Sequence, residues 1–305
     1  MSATPPPGAT QGGGASPSGA VPSGVAPSGP PPSGAQRGES IRLTLTGASG
    51  HMGAQILRLL EAMPAYRLVG AVVSERSAAL GQDAGRHAGA SECGVPLSAA
   101  LAPLLPQTDL VIDFSAGAAV AAHLAACTAA GVPLLIGTTG VPGEIEAALQ
   151  SAAQRIALLV AANTSLGVSV LLELVRRAAA ALPPGFEVEI LDVHHSRKVD
   201  APSGTALALG RAVAAARAVR LEEHARMGRH GAAGPRTPGE IGFAAVRGGD
   251  VVGEHEVRFL GPGETLILAH RATDRAIFAR GALQAGRWLV RQPPGRYAME
   301  DVLSI

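Results

Sequence analysis

The sequence predicts an α/β protein in which a doubly wound parallel sheet is followed by a smaller α+β domain. Apolar runs of strand length alternate with helical patterns over residues 41–164, and such alternation is typical of a parallel sheet with helical crossovers. A glycine-rich turn, residues 47–53, stands between the first strand and the first helix. Beyond Phe186, strands separated by short Gly-rich turns favour a mixed, largely antiparallel sheet.

The elements follow in order. In the first part, predicted strands cover residues 41–46, 66–73, 109–114, 133–136 and 156–161, and predicted helices run from the glycine turn to about Met63, over 116–130 and over 144–153. In the second part, strands are predicted over 186–191, 241–246, 251–260 and 265–271, and helices over 205–219 and 274–290. The Gly-rich turns at 247–250 and 261–264 predict antiparallel pairing of the strands that they join.

Composition excludes several classes of protein. The net charge is +1, from 25 Lys and Arg against 24 Asp and Glu, so the sequence predicts neither nucleic-acid binding nor a basic membrane surface. Cys93 and Cys127 match no metal-ligand spacing and no disulfide framework, which suits a reducing cytoplasm. No uninterrupted apolar stretch approaches the ~20 residues of a membrane span.

The first 40 residues form a Pro/Gly/Ser-rich tract in which Pro-Ser-Gly recurs at Pro17, Pro22, Pro27 and Pro32. Such a tract has too little apolar surface to offset its ordering entropy, so a disordered tail is predicted over residues 1–40. It also lacks the basic start and apolar block of a signal peptide.

The glycine turn predicts a dinucleotide site. Gly47 permits a tight turn, Gly50 allows the backbone to approach a pyrophosphate, and Gly53 permits close packing of the helix on the sheet. A strand before the turn and a helix after it give the motif its Rossmann-like context. The predicted cofactor-binding residues of this turn are Gly47, Ala48, Ser49, Gly50, His51 and Met52.

Three further strand ends belong to the same predicted site, because ligands bind at the carboxyl ends of strands in open α/β sheets. After the second strand, Glu75 is suited to the ribose hydroxyls of NAD and Arg76 to the 2′-phosphate of NADP, so either NADH or NADPH is expected. The two later loops supply Gly137, Thr138, Thr139, Ala161, Ala162, Asn163 and Thr164.

A polar cluster between a predicted strand and the helix that starts at about residue 205 carries most of the chemistry. His194 can exchange a proton near neutral pH, and Lys198 is a point cation suited to a carboxylate. The helix start at Ser203, Gly204 and Thr205 favours an anion. Together these groups predict a small acidic substrate that gains a proton. Metal binding by His194 and the neighbouring His195 is not expected, because adjacent side chains of an extended segment point apart.

These residues resemble those of the 4-hydroxy-tetrahydrodipicolinate reductase (dihydrodipicolinate reductase) family of bacterial lysine and diaminopimelate biosynthesis. The most specific element is His194-His-x-x-Lys-x-Asp-x-Pro-Ser-Gly-Thr205, whereas the glycine turn is shared with many dehydrogenases. Further matches are Gly137-Thr-Thr-Gly140, Ala161-Ala-Asn163, residues 242–255 and Asp301-Val-Leu303, all in family order. The chain departs from the family pattern at Asp192, where Glu is usual, and at Thr164, where an aromatic residue or Met is common.

The resemblance implies reduction of a cyclic dicarboxylic acid by NADH or NADPH in the cytoplasm. It implies that His194 is the proton donor and acceptor, that Lys198 is a second proton donor and carboxylate ligand, and that His195, Ser203, Gly204 and Thr205 contact the substrate. The implied domains are 41–164 for the dinucleotide, 165–285 for substrate and tetramer formation, and 286–305 returning to the first domain. A homotetramer is expected.

Two alternatives stay open at this point. A semialdehyde dehydrogenase on the same scaffold would need a nucleophilic cysteine, for which Cys93 and Cys127 are the only candidates. A nucleotide-sensing module without catalysis would keep the glycines but would not need His194, Lys198 and Asp200 together.

Overall fold

The computed structural model describes residues 40–140 and 142–305. The predicted disordered tail therefore lies outside the described residues, apart from Ser40.

The first part of the chain alternates strands and helices as predicted. It forms β1 (Ile41–Thr46), α1 (His51–Leu60), β2 (Tyr66–Val72), α2 (Ala84–His87), β3 (Leu97–Ser98), β4 (Leu110–Asp113), α3 (Val120–Ala130), β5 (Leu134–Ile136), α4 (Glu146–Ala153) and β6 (Ala157–Val160). The five predicted strands agree with β1, β2, β4, β5 and β6 to within one residue at each end. The elements α2 and β3 were not predicted, because they are too short to show a period.

The second part of the chain supplies the remaining elements. They are α5 (Leu166–Ala181), β7 (Glu187–His194), α6 (Gly204–Ala216), α7 (Leu221–His224), β8 (Ala225–Met227), β9 (Ile241–Arg247), β10 (Gly253–Gly261), β11 (Glu264–Ala272), α8 (Ala276–Leu289), β12 (Gly295–Tyr297) and α9 (Met299–Leu303). The long helix α5 was not predicted, although Ser165 caps it by accepting a hydrogen bond from the N–H of Val168. None of the helices within the described ranges is long and apolar enough to cross a membrane.

The first sheet has seven parallel strands in the order β12-β6-β5-β4-β1-β2-β3. One face packs against α1 and α8 through residues such as Leu43, Leu45, Ile56 and Leu283. The opposite face packs against α3 and α4 through another set that includes Val111, Leu134, Leu124 and Leu149. A parallel sheet covered on both faces is the doubly wound architecture that the sequence predicts.

The second sheet has five strands in the order β11-β10-β7-β9-β8 and packs on α5 and α6. Its pairings are evenly mixed: β10 is antiparallel to β7 and to β11, whereas β9 is parallel to β7 and to β8. The predicted β10–β11 hairpin is confirmed. The expected pairing of β9 with β10 is wrong, because β7 lies between them and the turn at 247–250 crosses over it.

The end of the chain adds to the first sheet. Ala279, Ala282, Leu283 and Leu289 of α8 belong to the same apolar cluster as β1 and β4. Strand β12 pairs in parallel with β6, so that Gly295 faces Ala157 at the edge of the sheet.

Candidate active site

The glycine turn after β1 has two positions at which any side chain would collide with the backbone. Gly47 has a φ of 72°, and a Cβ added there would lie 2.3 Å from the carbonyl oxygen of Phe114. A Cβ at Gly53 would lie 2.4 Å from the carbonyl oxygen of Gly47. The sequence thus allows the start of α1 to approach β4 closely, as a dinucleotide-binding turn requires.

The start of α1 is open to a ligand. No side chain caps the helix at Gly50, and Ser49, Gly50 and His51 are exposed, so the first-turn N–H groups are free to bind an anion. Ala48, by contrast, is buried, and its N–H donates to the carbonyl of Val72 at the end of β2. A cleft of about 350 Å³ lies beside this turn, lined by residues that include Ser49, Met52, Arg58, His87 and Arg275.

The loop after β2 places both ribose-selecting candidates in solvent. Glu75 and Arg76 are exposed, and neither side chain forms an ion pair or hydrogen bond with another described residue. The backbone N–H of Arg76 donates to the hydroxyl of Ser74. Both side chains are therefore available to a ligand, and their positions do not distinguish NADH from NADPH.

A buried carboxylate that the sequence analysis did not single out organises the next strand ends. Asp113 at the end of β4 accepts hydrogen bonds from the N–H of Ser115 and the hydroxyl of Thr138, and its other oxygen lies 2.8 Å from Nδ1 of His123. Burial would raise the pKa of Asp113, but its bonds with His123 and Ser115 together hold that pKa below its usual range. Gly137 lies beside this group, with its N–H bonded to the carbonyl of Asp113.

The loop after β6 of the first sheet is hydrogen-bonded to the start of α6, which packs on the second sheet. The side-chain amide of Asn163 donates a hydrogen bond to the hydroxyl of Thr205, 3.1 Å away, in the first turn of α6. Thr164 is buried, and its hydroxyl donates to the carbonyl of Phe278. Thr139 and Ala162 are exposed, whereas Ala161 is buried. The hydroxyl of Thr164 therefore already has a hydrogen-bond partner within the protein.

The predicted polar cluster begins inside a strand rather than on a loop. Parallel pairing with β9 continues through His194, which faces Arg247, and this pairing extends β7 three residues beyond the predicted end at residue 191. His194 is consequently 9% exposed, whereas His195 begins the loop and is half-buried. The amino group of Lys198 lies 2.8 Å from a carboxylate oxygen of Asp200 on the same loop.

The start of α6 is the helix end at which an anion site was predicted. Ser203 caps the helix: its hydroxyl accepts from the N–H of Ala206 and lies 3.1 Å from Nε2 of His255. The side chain of Ser203 is thus already engaged. Gly204 is exposed, and a Cβ there would meet nothing within 4 Å. The first-turn N–H groups of Gly204 and Thr205 have no partner inside the helix, as at any helix start.

Asp192 joins these parts. It is 1% exposed, and one carboxylate oxygen accepts hydrogen bonds from the N–H of Ser203 at 2.7 Å and the guanidinium of Arg247 at 2.9 Å. The other oxygen lies 2.7 Å from Nδ1 of His194 and 3.5 Å from Nε2 of His255. Although Oδ1 of Asp192 and Nδ1 of His194 are close, their geometry is not that of a hydrogen bond, and neither atom has a hydrogen-bond partner among the described residues.

The histidines of this cluster have lowered pKa values. Burial and the positive charges of Lys198 and Arg247 lower the pKa of His194, while the Asp192 carboxylate opposes them. Burial, assisted by His194, lowers the pKa of His255 to about 4. Burial and then Arg275, which also lines the cleft beside the glycine turn, lower the pKa of His195.

Three side chains of this cluster lie close enough together to bind one metal ion. Asp192, His194 and His255 each offer one ligand atom within 4.8 Å of the others. The guanidinium of Arg247 is hydrogen-bonded to the carboxylate of Asp192, and its positive charge disfavours a metal cation at the same place. The expectation that this protein uses no metal stays a prediction.

Comparison with known proteins identifies the family. The family models described as "Dihydrodipicolinate reductase, N-terminus" and "Dihydrodipicolinate reductase, C-terminus" match residues 41–164 and 167–303. The chain belongs to the dihydrodipicolinate reductase family. The residues that carried the resemblance lie within these two matches, and the first domain of this family member is a nucleotide-binding Rossmann domain.

Curated relatives match this chain over nearly their whole length. The chain is 46% identical over 264 residues to 4-hydroxy-tetrahydrodipicolinate reductase from Anaeromyxobacter dehalogenans (strain 2CP-1), covering 87% of this chain and 98% of the relative. The enzyme of the same name from Acinetobacter baumannii (strain AYE) is 44% identical, with 87% and 96% covered.

A solved structure of a dihydrodipicolinate reductase is also similar to this chain. A dipicolinate-bound dihydrodipicolinate reductase from Paenisporosarcina sp. TG-14 superposes with a TM-score of 0.69 at 25% identity, covering 85% of this chain and 98% of that one. An amine dehydrogenase from Mycobacterium smegmatis shares the fold alone, with a TM-score of 0.53 at 14% identity.

The cysteines of this dihydrodipicolinate reductase family member do not suit the semialdehyde dehydrogenase alternative. Cys127 is fully buried in α3, and burial raises the pKa of its thiol to about 12. The sulfur of Cys93 lies 3.7 Å from both carboxylate oxygens of Asp83. Among the described residues, neither thiol is hydrogen-bonded to a histidine that could act as its base.

Proposed function

We propose that this chain reduces 4-hydroxy-tetrahydrodipicolinate to tetrahydrodipicolinate with NADH or NADPH, in lysine and diaminopimelate biosynthesis. Membership of the family and relatives of that name at 44–46% identity support this reaction. The structural observation that carries the proposal is the hydrogen bond between Asn163 and Thr205. It brings a strand end of the nucleotide-binding sheet against the helix start that is suited to a carboxylate.

The residues at the strand ends fit a dinucleotide. The close approach at Gly47 and Gly53 and the uncapped start of α1 suit its pyrophosphate. Exposed Glu75 and Arg76 suit the adenosine ribose with or without a 2′-phosphate. The residues proposed to line the nicotinamide side are Gly137, Thr138, Thr139, Ala161, Ala162, Asn163 and Thr164. When bound, the reduced nicotinamide supplies the hydride.

Two carboxylates of the substrate require two binding groups. We assign one to the free N–H groups of Gly204 and Thr205 at the start of α6, which Ser203 holds in place through its cap. We assign the other to Lys198, whose amino group exchanges Asp200 for the substrate carboxylate. Clamping both carboxylates fixes the ring, and such orientation can lower the barrier by as much as ~7–11 kcal/mol.

The reaction replaces the 4-hydroxyl by hydrogen with loss of water, and the carbon next to the one that receives the hydride must gain a proton. His194 is the proposed proton donor and acceptor, because it is buried at the end of β7 beside an ionised carboxylate. Lys198 is the proposed second proton donor, and His195 a substrate contact. A positioned acid of this kind contributes ~10²–10⁴-fold to the rate.

We further propose a homotetramer in the cytoplasm. The edge strand β11 is nine residues long and exposes Leu266 and Ile267, and an exposed apolar edge of this length favours association.

A steady-state assay tests the proposed function. The substrate is generated in situ, and absorbance of the reduced nicotinamide is followed with NADH and with NADPH. We expect consumption of at least one cofactor only when the substrate is supplied. Consumption of neither cofactor would refute the proposal.

A further inference from the structure

The carboxylate of Asp192 touches four elements of the second domain at once. Asp192 lies in β7, two residues before His194, and pairs directly across the strands with His255 of β10. Its hydrogen bonds reach Arg247 at the end of β9 and Ser203 at the start of α6. A change at this one side chain therefore reaches both the proposed acid and the proposed carboxylate site.

We propose that Asp192 is the positioning residue for His194, holding a proton on Nδ1 so that Nε2 is the atom that exchanges protons with the substrate. This inference rests on the proposed function and deepens it. The contact of 2.7 Å between Oδ1 and Nδ1 fixes which edge of the ring faces the protein. Rotation of the ring would bring an Nδ1–H into line with the oxygen, in the way that catalytic hydrogen bonds tighten on substrate binding.

The space around Nε2 supports the same assignment. A Cβ added at Gly253 would lie 3.0 Å from Nε2 and 3.4 Å from Cδ2 of His194. The first residue of β10 thus has no side chain where Nε2 must stay accessible. Any larger residue there would crowd the working edge of the ring.

Asp192 is equipped to remain ionised. Burial would raise the pKa of its carboxyl, but the hydrogen bonds from Arg247 and from Ser203 together hold that pKa below its usual range. Four groups face His194. The carboxylate of Asp192 favours the protonated ring, whereas the positive charges of Lys198 and Arg247 oppose it. The fourth group, His255, is neutral near pH 7. Asp192 is therefore the carboxylate positioned to stabilise the imidazolium.

The assignment separates two kinds of variant. Asp192→Asn keeps the size but removes the charge, and Asp192→Glu keeps the charge with one added methylene. The matched control is Asp109→Asn, an acid that pairs with Arg42 at the start of β4. We expect turnover of Asp192→Asn to fall at least 10-fold, substantial recovery in Asp192→Glu, and wild-type turnover in Asp109→Asn.

The pH profile separates a positioning role from a merely structural one. Removing the negative charge lowers the pKa of His194 further, so the limb of the profile that reports this group moves to lower pH in Asp192→Asn. NADH binding, measured by fluorescence, stays within a few-fold of wild type. Turnover within two-fold of wild type together with an unshifted profile would overturn the proposal.

A measurement on the wild-type protein covers the case in which Asp192→Asn does not fold. Long-range ¹H–¹⁵N correlation spectra, with His194 assigned by its loss in His194→Gln, report which ring nitrogen of the neutral form carries the proton. We expect Nδ1; a proton on Nε2 would overturn the proposal. Because this readout needs no turnover, it stands apart from the assay, in which an inactive wild-type protein would refute the proposed function instead.

Discussion

The side-chain amide of Asn163 donates to the hydroxyl of Thr205 across 3.1 Å, joining the loop after β6 to the first turn of α6. Asn163 also accepts the N–H of Ser165, so one side chain orders its own loop and holds the helix start of the second domain. The proposed nicotinamide and carboxylate sites meet at this bond.

Thr205→Val removes the hydroxyl while keeping the shape of the side chain. We expect the free energy of unfolding to fall by ~0.5–1.5 kcal/mol, the usual net contribution of such a hydrogen bond. A double-mutant cycle with Asn163→Ala, measured by urea unfolding, should return a coupling energy in this range. Additive effects of the two substitutions would show that the bond contributes nothing in solution.

His194→Gln retains a polar side chain but cannot supply the proton. We expect turnover to fall ~10²–10⁴-fold, with NADH affinity nearly unchanged, because the ring belongs to the second domain and not to the glycine turn. His230→Gln, an exposed histidine after β8, is the matched control and should behave as wild type. Near wild-type turnover in His194→Gln would remove this residue from the mechanism.

Lys198→Met deletes a charge-assisted hydrogen bond to a substrate carboxylate, which contributes ~1.5–3 kcal/mol. We expect the Michaelis constant for the substrate to rise and turnover to fall, because the same carboxylate aligns the ring. Arg197→Met removes an exposed cation one residue earlier and should have little effect. If NADH binding collapsed in Lys198→Met while substrate affinity held, Lys198 would belong to the cofactor site.

The buried histidines make stability depend on pH. The pKa of His255 is lowered from 6.5 to about 4 by burial, so the unfolded chain binds more protons than the folded one between these values. We therefore expect the free energy of unfolding to decrease as the pH falls through this window, by ~3 kcal/mol at most from this group. His194 and His270, whose pKa values are also lowered, act in the same direction.

Urea unfolding of His255→Gln between pH 6.5 and 4.5 checks this sign, and its slope should be shallower than that of the wild type. His230→Gln, from an exposed position, should keep the wild-type slope. An equal slope in His255→Gln and the wild type would show that His255 titrates in the folded protein as it does in the unfolded chain.

Five of the seven strands of the first sheet were predictable because they are apolar runs bounded by Gly, Pro and charged residues. The other two, β3 and β12, have only two and three residues and were not predicted. Leu43 and Leu45 are fully buried in β1, and the glycine turn follows directly, so sequence and structure agree residue by residue. The second sheet was harder to predict. Its strand order is set by the crossover through α6, which places β7 between β9 and β10, and local turn patterns do not report that pairing.

The candidate site was predictable only where its residues are neighbours in the sequence. His194, Lys198 and the start of α6 lie within twelve residues and were identified together. Arg247 and His255 reach Asp192 through strand pairing, and Asp113 reaches Thr138 across the first sheet. The resemblance included residues 242–255 but assigned them no role, because their register against β7 is a property of the folded sheet.

Transfer of hydrogen from the cofactor to the product tests the central claim most directly. The measurement uses nicotinamide cofactor deuterated at C4 on the transferred face, substrate generated in situ, and mass spectrometry of the product. We predict tetrahydrodipicolinate carrying one deuterium, formed in step with cofactor oxidation and ~10²–10⁴-fold more slowly in His194→Gln. Product without deuterium, or cofactor oxidation without this product, would contradict the account.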